Sequence, residues 1–468
     1  MPEIPGGLSN FDSTTKTIFS SSECSRVTST RQLRSWAKIL LLIAVFLPPI
    51  SAFVILYRQE FPVPYQDDYA AVLSFAQEYS QLPDWRAKAI HILTKQGNDY
   101  KLAFAHSVIA SDLELSGHLN FPFLIFLGNF CLLPIAYLLW RNCPSGPDCR
   151  LDQRLILFLP ISLMFFSLVY WETLDWCTPG LQNLPVILFS LLSITLLIPR
   201  VSENTRLVRG ALAGLSAALA ALSSANGFLL APIGLVVLLP RRAFAAATLW
   251  CASFLIPIAS YLYHYTPYSY SFQLIHSRSW LAKASFSFAF LGCALPNRWA
   301  ALLLGITFTI VFGLSIRSRF YRKQPVLFYF TLWVLATAVL VGSMRGTVAP
   351  RYSIYSILAL IFAYSFLSEQ LPGWVHPLTL KRLHAAALVC ALLFCIAGDV
   401  IGYWNLGERR QMVLTGIEQY RANPEMNSPM IDPRVLVIVP GEAEYERWEL
   451  TRALRNHLLV LPPRQGSR

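Results

Sequence analysis

Residues 39–56 read "ILLLIAVFLPPISAFVIL" and contain no charged side chain. A helix that crosses a bilayer needs about 20 mostly apolar residues, with about 17 to 25 as the usual range. This run therefore predicts a membrane-spanning helix near the start of the chain, and the rest of the fold depends on how often the same pattern returns.

The pattern returns along most of the chain. A further stretch between Gly210 and Pro240 lacks Asp, Glu, Lys and Arg and is broken by "SSANG", which predicts two short helices joined at Ser223 to Gly227. With these two helices, the sequence predicts an all-α polytopic membrane protein with about eleven transmembrane helices. The other spans are Phe121–Trp140, Leu155–Trp171, Leu181–Ile198, Ala243–Tyr263, Trp299–Ile316, Val326–Gly342, Tyr352–Leu367 and His384–Ile401.

Composition supports a membrane protein and argues against nucleic-acid binding. The 468 residues are 55% hydrophobic and 14% charged, and the mean hydropathy is +0.48, whereas a soluble domain has about 25% charged residues. The net charge of +12 comes from short basic clusters between apolar runs rather than from a basic face. Such clusters are typical of cytoplasmic loops in membrane proteins.

The basic clusters also predict the orientation. Reading Trp280 to Leu295 as a re-entrant or interfacial helix keeps every basic cluster inside and places the N-terminus in the cytoplasm and the C-terminus outside. Residues 1–36 are then a disordered cytoplasmic segment before an uncleaved signal anchor. The clusters are Arg31 and Arg34, Arg141 with Arg150 and Arg154, Arg200 with Arg206 and Arg209, Arg241 with Arg242, Arg317 to Lys323, and Lys381 with Arg382.

Two regions outside the transmembrane domain (residues 37–401) are large enough to carry function. Residues 58–120 form a first outer loop, and residues 402–468 form an outer tail. In the tail, "RVLVIVP" predicts a short strand and "GEAEYERWELTRALRNHLL" predicts a helix, together a small α/β appendage.

The loop begins with "PYQDDY", in which Asp67 and Asp68 lie just past the first span. Paired carboxylates can act as a general base and a metal ligand, because one ionised carboxylate raises the pKa of its neighbour. In an extended backbone the two side chains would lie on opposite faces, and we assign the base to Asp68 and a partner or cation to Asp67. The alternative is a solvated acidic turn.

A second polar cluster, "KQGNDYK", follows in the same loop and contains Asn98, Asp99 and Lys101. Asp99 could share a divalent cation, Mg²⁺ or Mn²⁺, with Asp67. The same letters also predict an ordinary turn before a helix. His106, in the amphipathic run that follows, is better explained as a surface or packed histidine than as a ligand.

The segments "PYQDDY", "GNDYK", "SSANGFLLAPIGLVVLLPRR" and "RYSIYS", in this order and layout, resemble the GT-C superfamily of integral membrane glycosyltransferases. The resemblance is to bacterial members with "WDDW" and "NEHR" type patterns. This sequence departs from them with Gln66 in place of Trp and with Tyr-Lys in place of His-Arg, which puts a family role for Lys101 in doubt.

The resemblance implies transfer of a sugar from a polyprenyl-phosphate carrier to a glycan or lipid acceptor on the periplasmic side of a bacterial inner membrane, with a first-loop aspartate as base. Such a reaction needs cations for the leaving phosphate, and Arg345 and Arg351 lie at outer ends of spans. Arg351 opens a helix whose dipole disfavours a cation, which indicates an anionic partner. Gln182 and Asn183, in or beside "WETLDWCTPGLQN", are candidates for sugar binding.

Other functions stay open at this point. A transporter or flippase of lipid-linked sugars would show inverted repeats or ionisable residues at mid-membrane depth, and the spans are nearly free of charge. A non-catalytic membrane assembly protein would not need the acidic clusters. Outside the apolar runs, Cys143 and Cys149 are the one cysteine pair close enough to suggest a metal or disulfide, although their loop is predicted to be cytoplasmic.

Overall fold

The computed structural model describes residues 35–59, 62–97, 100–143, 150–198, 206–267, 269–345, 348–424 and 442–462. Within these ranges the chain is almost entirely helical, and nine helical stretches are long and apolar enough to cross a membrane. The protein is therefore an all-α, multi-pass membrane protein. Predictions for residues 1–34 and for "RVLVIVP" at 434–440 fall outside the described residues.

The helices and the one described strand pair are numbered in chain order. They are α1 Ser35–Gln59, α2 Phe75–Ser80, α3 Trp85–Thr94, β1 Gln96–Gly97, β2 Tyr100–Lys101, α4 Ala103–Ser116, α5 Phe121–Phe130, α6 Leu132–Arg141, α7 Leu151–Phe165, α8 Trp171–Asp175, α9 Cys177–Leu197, α10 Arg206–Ser223, α11 Leu230–Leu238, α12 Phe244–Ser253, α13 Leu255–Leu262, α14 Ser269–Ser277, α15 Trp280–Leu291, α16 Arg298–Arg317, α17 Phe320–Lys323, α18 Pro325–Met344, α19 Ser353–Gln370, α20 Pro377–Ala422 and α21 Glu442–Arg455.

The nine long stretches coincide with the nine long apolar runs of the sequence. The two short helices predicted around "SSANG" are also confirmed, because α10 ends at Ser223 and a 3-10 turn, Ala225–Leu229, leads into α11. A Cβ atom on Gly227 would lie 2.3 Å from the carbonyl carbon of Ala220. Only glycine allows the chain to fold back this closely on the end of α10.

The third span is interrupted, where the sequence predicted one continuous helix to Trp171. α7 ends at Phe165, and the chain resumes as a 3-10 turn at Leu168. Backbone groups freed within a membrane must find protein partners. The carboxylate of Asp399 on α20 accepts the Leu168 N–H at 2.9 Å, and Gly402 allows α20 to touch Leu168, since a Cβ there would lie 2.4 Å from that side chain.

Helix α20 runs through the predicted end of the last span. It continues without a break from Pro377 to Ala422, so the helix extends past residue 402, where the tail was predicted to begin. No Pro interrupts the helix before Pro424, and its second half buries Val413, Ile417 and Tyr420 in a second apolar core.

That second core joins the first outer loop to the tail. Gln77 of the loop donates to the carboxylate of Glu449 on α21 at 2.9 Å, and the Leu119 N–H donates to the carbonyl of Leu458 at 2.8 Å. The loop and the tail therefore lie at the same end of the helical bundle, which we call the loop face. The predicted helix of the tail is α21.

Helix α15 keeps both of its ends at the loop face. Near its start, Lys283 lies against Gly342 at the end of α18, and beyond its end the carbonyl of Cys293 accepts the hydroxyl of Ser353 at the start of α19. Gly342 and Ser353 flank one turn, so α15 lies across the bundle end rather than through it. This geometry agrees with the expected interfacial or re-entrant helix.

Large exposed aromatic side chains mark the loop-face end of the spans. Aromatic residues with an apolar body and a polar atom are enriched where a membrane meets water. Trp404 on α20 is 74% exposed, which places the headgroup layer about one and a half turns before Arg409. The others are Tyr57, Trp280, Trp299 and Tyr403.

Candidate functional site

The acidic pair follows a tight turn at Gln66. Gln66 has a φ of 43°, in the left-handed region that costs a residue other than glycine roughly 1–2 kcal/mol. The turn is closed by hydrogen bonds from the Asp68 N–H to the Tyr65 carbonyl and from the Tyr69 N–H to the Gln66 carbonyl, both 3.0 Å. The two carboxylates consequently enter different environments.

Asp68 is directed into the protein and is 1% exposed. Its carboxylate accepts the Tyr65 N–H at 3.1 Å, the Thr178 N–H at 2.9 Å and the Thr178 hydroxyl. Burial raises the pKa of Asp68 to about 7, although the hydrogen bonds from Thr178 and Tyr65 oppose the rise. Asp68 fastens the loop to the start of α9, and this geometry does not favour its assignment as general base.

Asp67 is half-buried, and its charge acts on Tyr100 and Arg351. Burial raises the pKa of Tyr100. The positive charges of Arg345 and Arg351 oppose this rise, and the negative charge of Asp67 adds to it. These four side chains therefore share one electrostatic site, which contains both predicted arginines and the first aspartate of the pair. We call it the Asp67 site.

Aromatic rings line the Asp67 site. The guanidinium of Arg351 lies 5.1 Å from the ring centre of Trp176 and 5.6 Å from that of Tyr352, and Arg345 lies 5.9 Å from the ring centre of Tyr100. These separations are in the range of cation–π contacts. The arginines are thus held at the membrane-facing end of the loop in an environment that suits a planar or phosphorylated ligand.

The backbone of Arg351 is fixed by α8. Its N–H donates to the carboxylate of Glu172 at 3.2 Å, and its carbonyl accepts the hydroxyl of Thr173 at 2.8 Å. Glu172, and Asp175 in the same short helix, therefore form part of the frame around Arg351.

Arg409 completes that frame and was missed by the sequence reading. It is 5% exposed, donates to Asp175 at 2.9 Å and lies 3.5 Å from Glu172. Its guanidinium also lies 4.4 Å from the ring centre of Tyr65 and 4.3 Å from that of Trp171. The sequence signal, "ERR" just beyond the last span, resembled an ordinary interfacial cluster.

Lys101 points away from the Asp67 site. Its ammonium is buried and donates to the carbonyl of Ser260 at 2.8 Å and to that of Tyr263, at the carboxyl end of α13. Burial lowers the pKa of Lys101. This contact ties β2 to α13, as expected for a cation at a helix carboxyl end. Asn98 and Asp99, predicted beside it, lie outside the described residues.

His106 is a packed residue. It is buried and stacks on Phe75 with ring centres 4.2 Å apart, and burial lowers its pKa to about 3. The neutral ring belongs to the core of the loop, as the packed interpretation predicts, and it contacts none of the residues of the Asp67 site.

Gln182 and Asn183 lie deeper, in an uncharged polar network beneath the site. The Tyr355 hydroxyl donates to Asn183 at 3.2 Å and accepts from Asn226 at 3.1 Å, while Gln182 donates to Ser224 at 3.0 Å. The backbone carbonyl of Asn226 also accepts the indole N–H of Trp333 at 2.9 Å. The network closes the turn between α10 and α11 against α19.

The predicted cation site has one ligand within the described residues. Within the described ranges, no group of three or more His, Cys, Asp or Glu side chains is arranged to hold a metal ion. Of the two expected ligands, Asp67 is described and Asp99 is not. Cys143 is buried, and Cys149 lies outside the described residues.

Searches against protein families, curated proteins and solved structures find no match to this chain. The functional conclusion for this chain therefore depends on the geometry of the Asp67 site and on its place at the membrane interface.

Proposed function

We propose that this protein is a membrane glycosyltransferase that takes a sugar from a polyprenyl-phosphate carrier and transfers it to an acceptor at the loop face. The observation that carries the proposal is that the charges of Asp67, Arg345 and Arg351 all act on Tyr100, with Arg345 5.9 Å from its ring centre, close to the exposed aromatic belt. A carboxylate and two cations at headgroup depth suit a reaction between a lipid phosphate and a hydroxyl group.

Each group has a role in this reaction. Asp67 accepts the proton of the acceptor hydroxyl as it attacks the anomeric carbon, and the carbon–oxygen bond to the carrier phosphate breaks. Arg351, with Arg345, stabilises the negative charge that collects on the leaving phosphate. Asp68 holds the loop in place through Thr178, so we reassign the base from Asp68 to Asp67.

A divalent cation, Mg²⁺ or Mn²⁺, bound through Asp67 and Asp99, stays part of the proposal. It would add charge stabilisation at the phosphate. The acceptor, a glycan or a lipid, would approach from the loop side, where Tyr65 and Trp176 pack edge to face with ring centres 5.2 Å apart.

The proposed topology has eleven spans, with the nine long stretches and the α10–α11 pair counted. It places the N-terminus in the cytoplasm and the loop face on the periplasmic side of a bacterial inner membrane, because the basic clusters then lie inside.

A flippase for lipid-linked sugars is the alternative. It would need polar or charged groups exposed along a path through the membrane. Several described polar groups between the spans are instead bonded to one another or to the backbone, as Asn183 and Tyr355 are and as Asp399 is to Leu168. This arrangement favours the enzyme.

Donor binding tests the proposal. We expect Arg351→Gln to weaken the affinity of purified protein for a polyprenyl phosphate at least about tenfold, since a hydrogen bond to a charged group contributes about 1.5–3 kcal/mol. Arg298→Gln, which removes an exposed cation at the start of α16, is the matched control. Equal affinity in wild type, Arg351→Gln and Arg298→Gln would remove the support for a carrier-phosphate site.

A further inference from the structure

A long acid-free part of the chain supplies one side of the loop face. No Asp or Glu occurs between Glu203 and Glu369, yet the loop-face turns of this part carry several cations. They are Arg278, Lys283, Arg298, Arg345 and Arg351. This side of the membrane interface therefore has a positive charge, and residues 204–368 contain no carboxylate side chain to neutralise it.

The connection between α14 and α15 concentrates this charge. Arg278 donates to the carbonyl of Arg345 and lies 5.5 Å from the ring centre of Phe286. Lys283 donates to the carbonyl of Ile275 at 2.6 Å. Among the described contacts, both cations meet only backbone carbonyls and aromatic rings. Each cation keeps N–H donors beyond the one that it uses on a carbonyl.

Apolar side chains surround the same two cations on the outer surface. Trp280 is 83% exposed and Leu281 is 80% exposed, while the opposite face of α15 buries Phe286 and Phe290. A helix that lies along the bundle end, with one face packed and with exposed Trp, Leu and Lys at its start, has the pattern of an element that lies in the headgroup layer.

We propose that the α14–α15 connection, taken here together with the first turn of α15 (residues 278–283), binds the phosphate of an anionic bilayer phospholipid. Arg278 and Lys283 provide the charge, and Trp280 and Leu281 enter the acyl boundary beside it. The site is independent of the sugar donor. It gives the protein a preference for anionic membranes and, through the contact of Arg278 with the Arg345 carbonyl, places a bound lipid beside the Asp67 site.

Lipid binding to detergent-purified, full-length protein tests this site, with native mass spectrometry as the readout. We expect phosphatidylglycerol to be retained in preference to phosphatidylcholine, and less so as ionic strength rises. The double variant Arg278→Gln, Lys283→Gln should lose about thirtyfold in phosphatidylglycerol affinity, since each cation near an anionic surface contributes about 1 kcal/mol.

Three controls keep the test decisive. Arg317→Gln with Arg322→Gln, which removes two exposed cations at the other end of the bundle, should retain the preference. The charge-conserving pair Arg278→Lys, Lys283→Arg should also retain it, which separates charge from folding. Inorganic phosphate at millimolar concentration should not compete.

Equal binding of the two lipids, an unchanged double glutamine variant, or full competition by inorganic phosphate would overturn the lipid site. Because no sugar donor is present in this assay, its outcome does not depend on glycosyl transfer.

Discussion

The guanidinium of Arg409 lies 2.9 Å from a carboxylate oxygen of Asp175, and this pair joins the extension of the last long helix to the segment that frames Arg351. Both partners are buried, at 5% and 3% exposed. A buried ion pair adds little over an apolar pair, but breaking it leaves an uncompensated charge.

We expect Arg409→Met to lower the free energy of unfolding by about 3–5 kcal/mol, because Asp175 then loses its cation. The measurement is the melting temperature of purified protein in detergent. Arg410→Met, at the exposed neighbouring position, should have little effect. The double variant Arg409→Met, Asp175→Leu should recover most of the loss, and a double variant as unstable as Arg409→Met would contradict the ion-pair explanation.

The second prediction concerns the pH dependence of stability. Burial raises the pKa of Asp68 from 3.8 to about 7. Between about pH 4 and pH 7 the unfolded chain releases a proton that the folded protein keeps, so the free energy of unfolding falls as pH rises. Asp68→Asn removes this group, and its melting temperature should vary less with pH across that window.

Asp84→Asn is the matched control, because Asp84 is an exposed carboxylate that caps α3 and asparagine caps helices equally well. The control should keep the pH dependence of the wild type. An Asp68→Asn variant with the same pH dependence as the wild type would show that Asp68 does not titrate in this window.

The third prediction tests the docking of α15. Gly305 of α16 faces α15 so closely that a Cβ atom would lie 1.8 Å from the carbonyl oxygen of Phe288. Gly305→Ala should therefore separate the two helices and lower the melting temperature. Gly313→Ala, in the same helix with nothing within 4 Å, should be neutral or stabilising by up to about 1 kcal/mol. Equal effects of the two substitutions would contradict the close contact.

The fourth prediction is the proposed orientation. Reporter fusions active only in the periplasm should be active after Tyr403, at the loop face, and inactive after Arg322, at the opposite end. The reverse pattern would place the Asp67 site in the cytoplasm and exclude a periplasmic acceptor.

Much of the fold follows from the sequence because membrane insertion depends on simple physics. Every backbone N–H and C=O within the bilayer must be bonded internally, so an apolar run such as Ile39–Leu56 has a single stable solution, the helix. The glycine turn at Gly227 and the interfacial position of α15 are also visible in the sequence, from a break in the apolar pattern and from the charge of the following loop.

The site was harder to predict, because it depends on contacts between distant parts of the chain. The letters "QDDY" do not show that the left-handed Gln66 separates the two carboxylates, and the pairing of Arg409 with Asp175 spans 234 residues. Hydropathy falls at Gly402 although the helix continues to Ala422, so the sequence did not reveal the full length of α20. Local patterns do not record such packing.

Glycosyl transfer by aspartate variants tests the central claim most directly. Purified protein would be supplied with a panel of polyprenyl-phosphate monosaccharides and a cell-envelope acceptor fraction, and release of free polyprenyl phosphate would be measured. Asp67→Asn should lose about 10² to 10⁴-fold in rate, the usual contribution of a general base. It should keep the carrier affinity of the wild type, because Arg351 is unchanged.

Asp68→Asn is the comparison within the same experiment. We expect it to lose stability while its folded fraction keeps most of the transfer rate, because Asp68 contacts Thr178 rather than the site. The assignment of Asp67 as the base would be contradicted if Asp67→Asn kept the full transfer rate while the folded fraction of Asp68→Asn lost most of it.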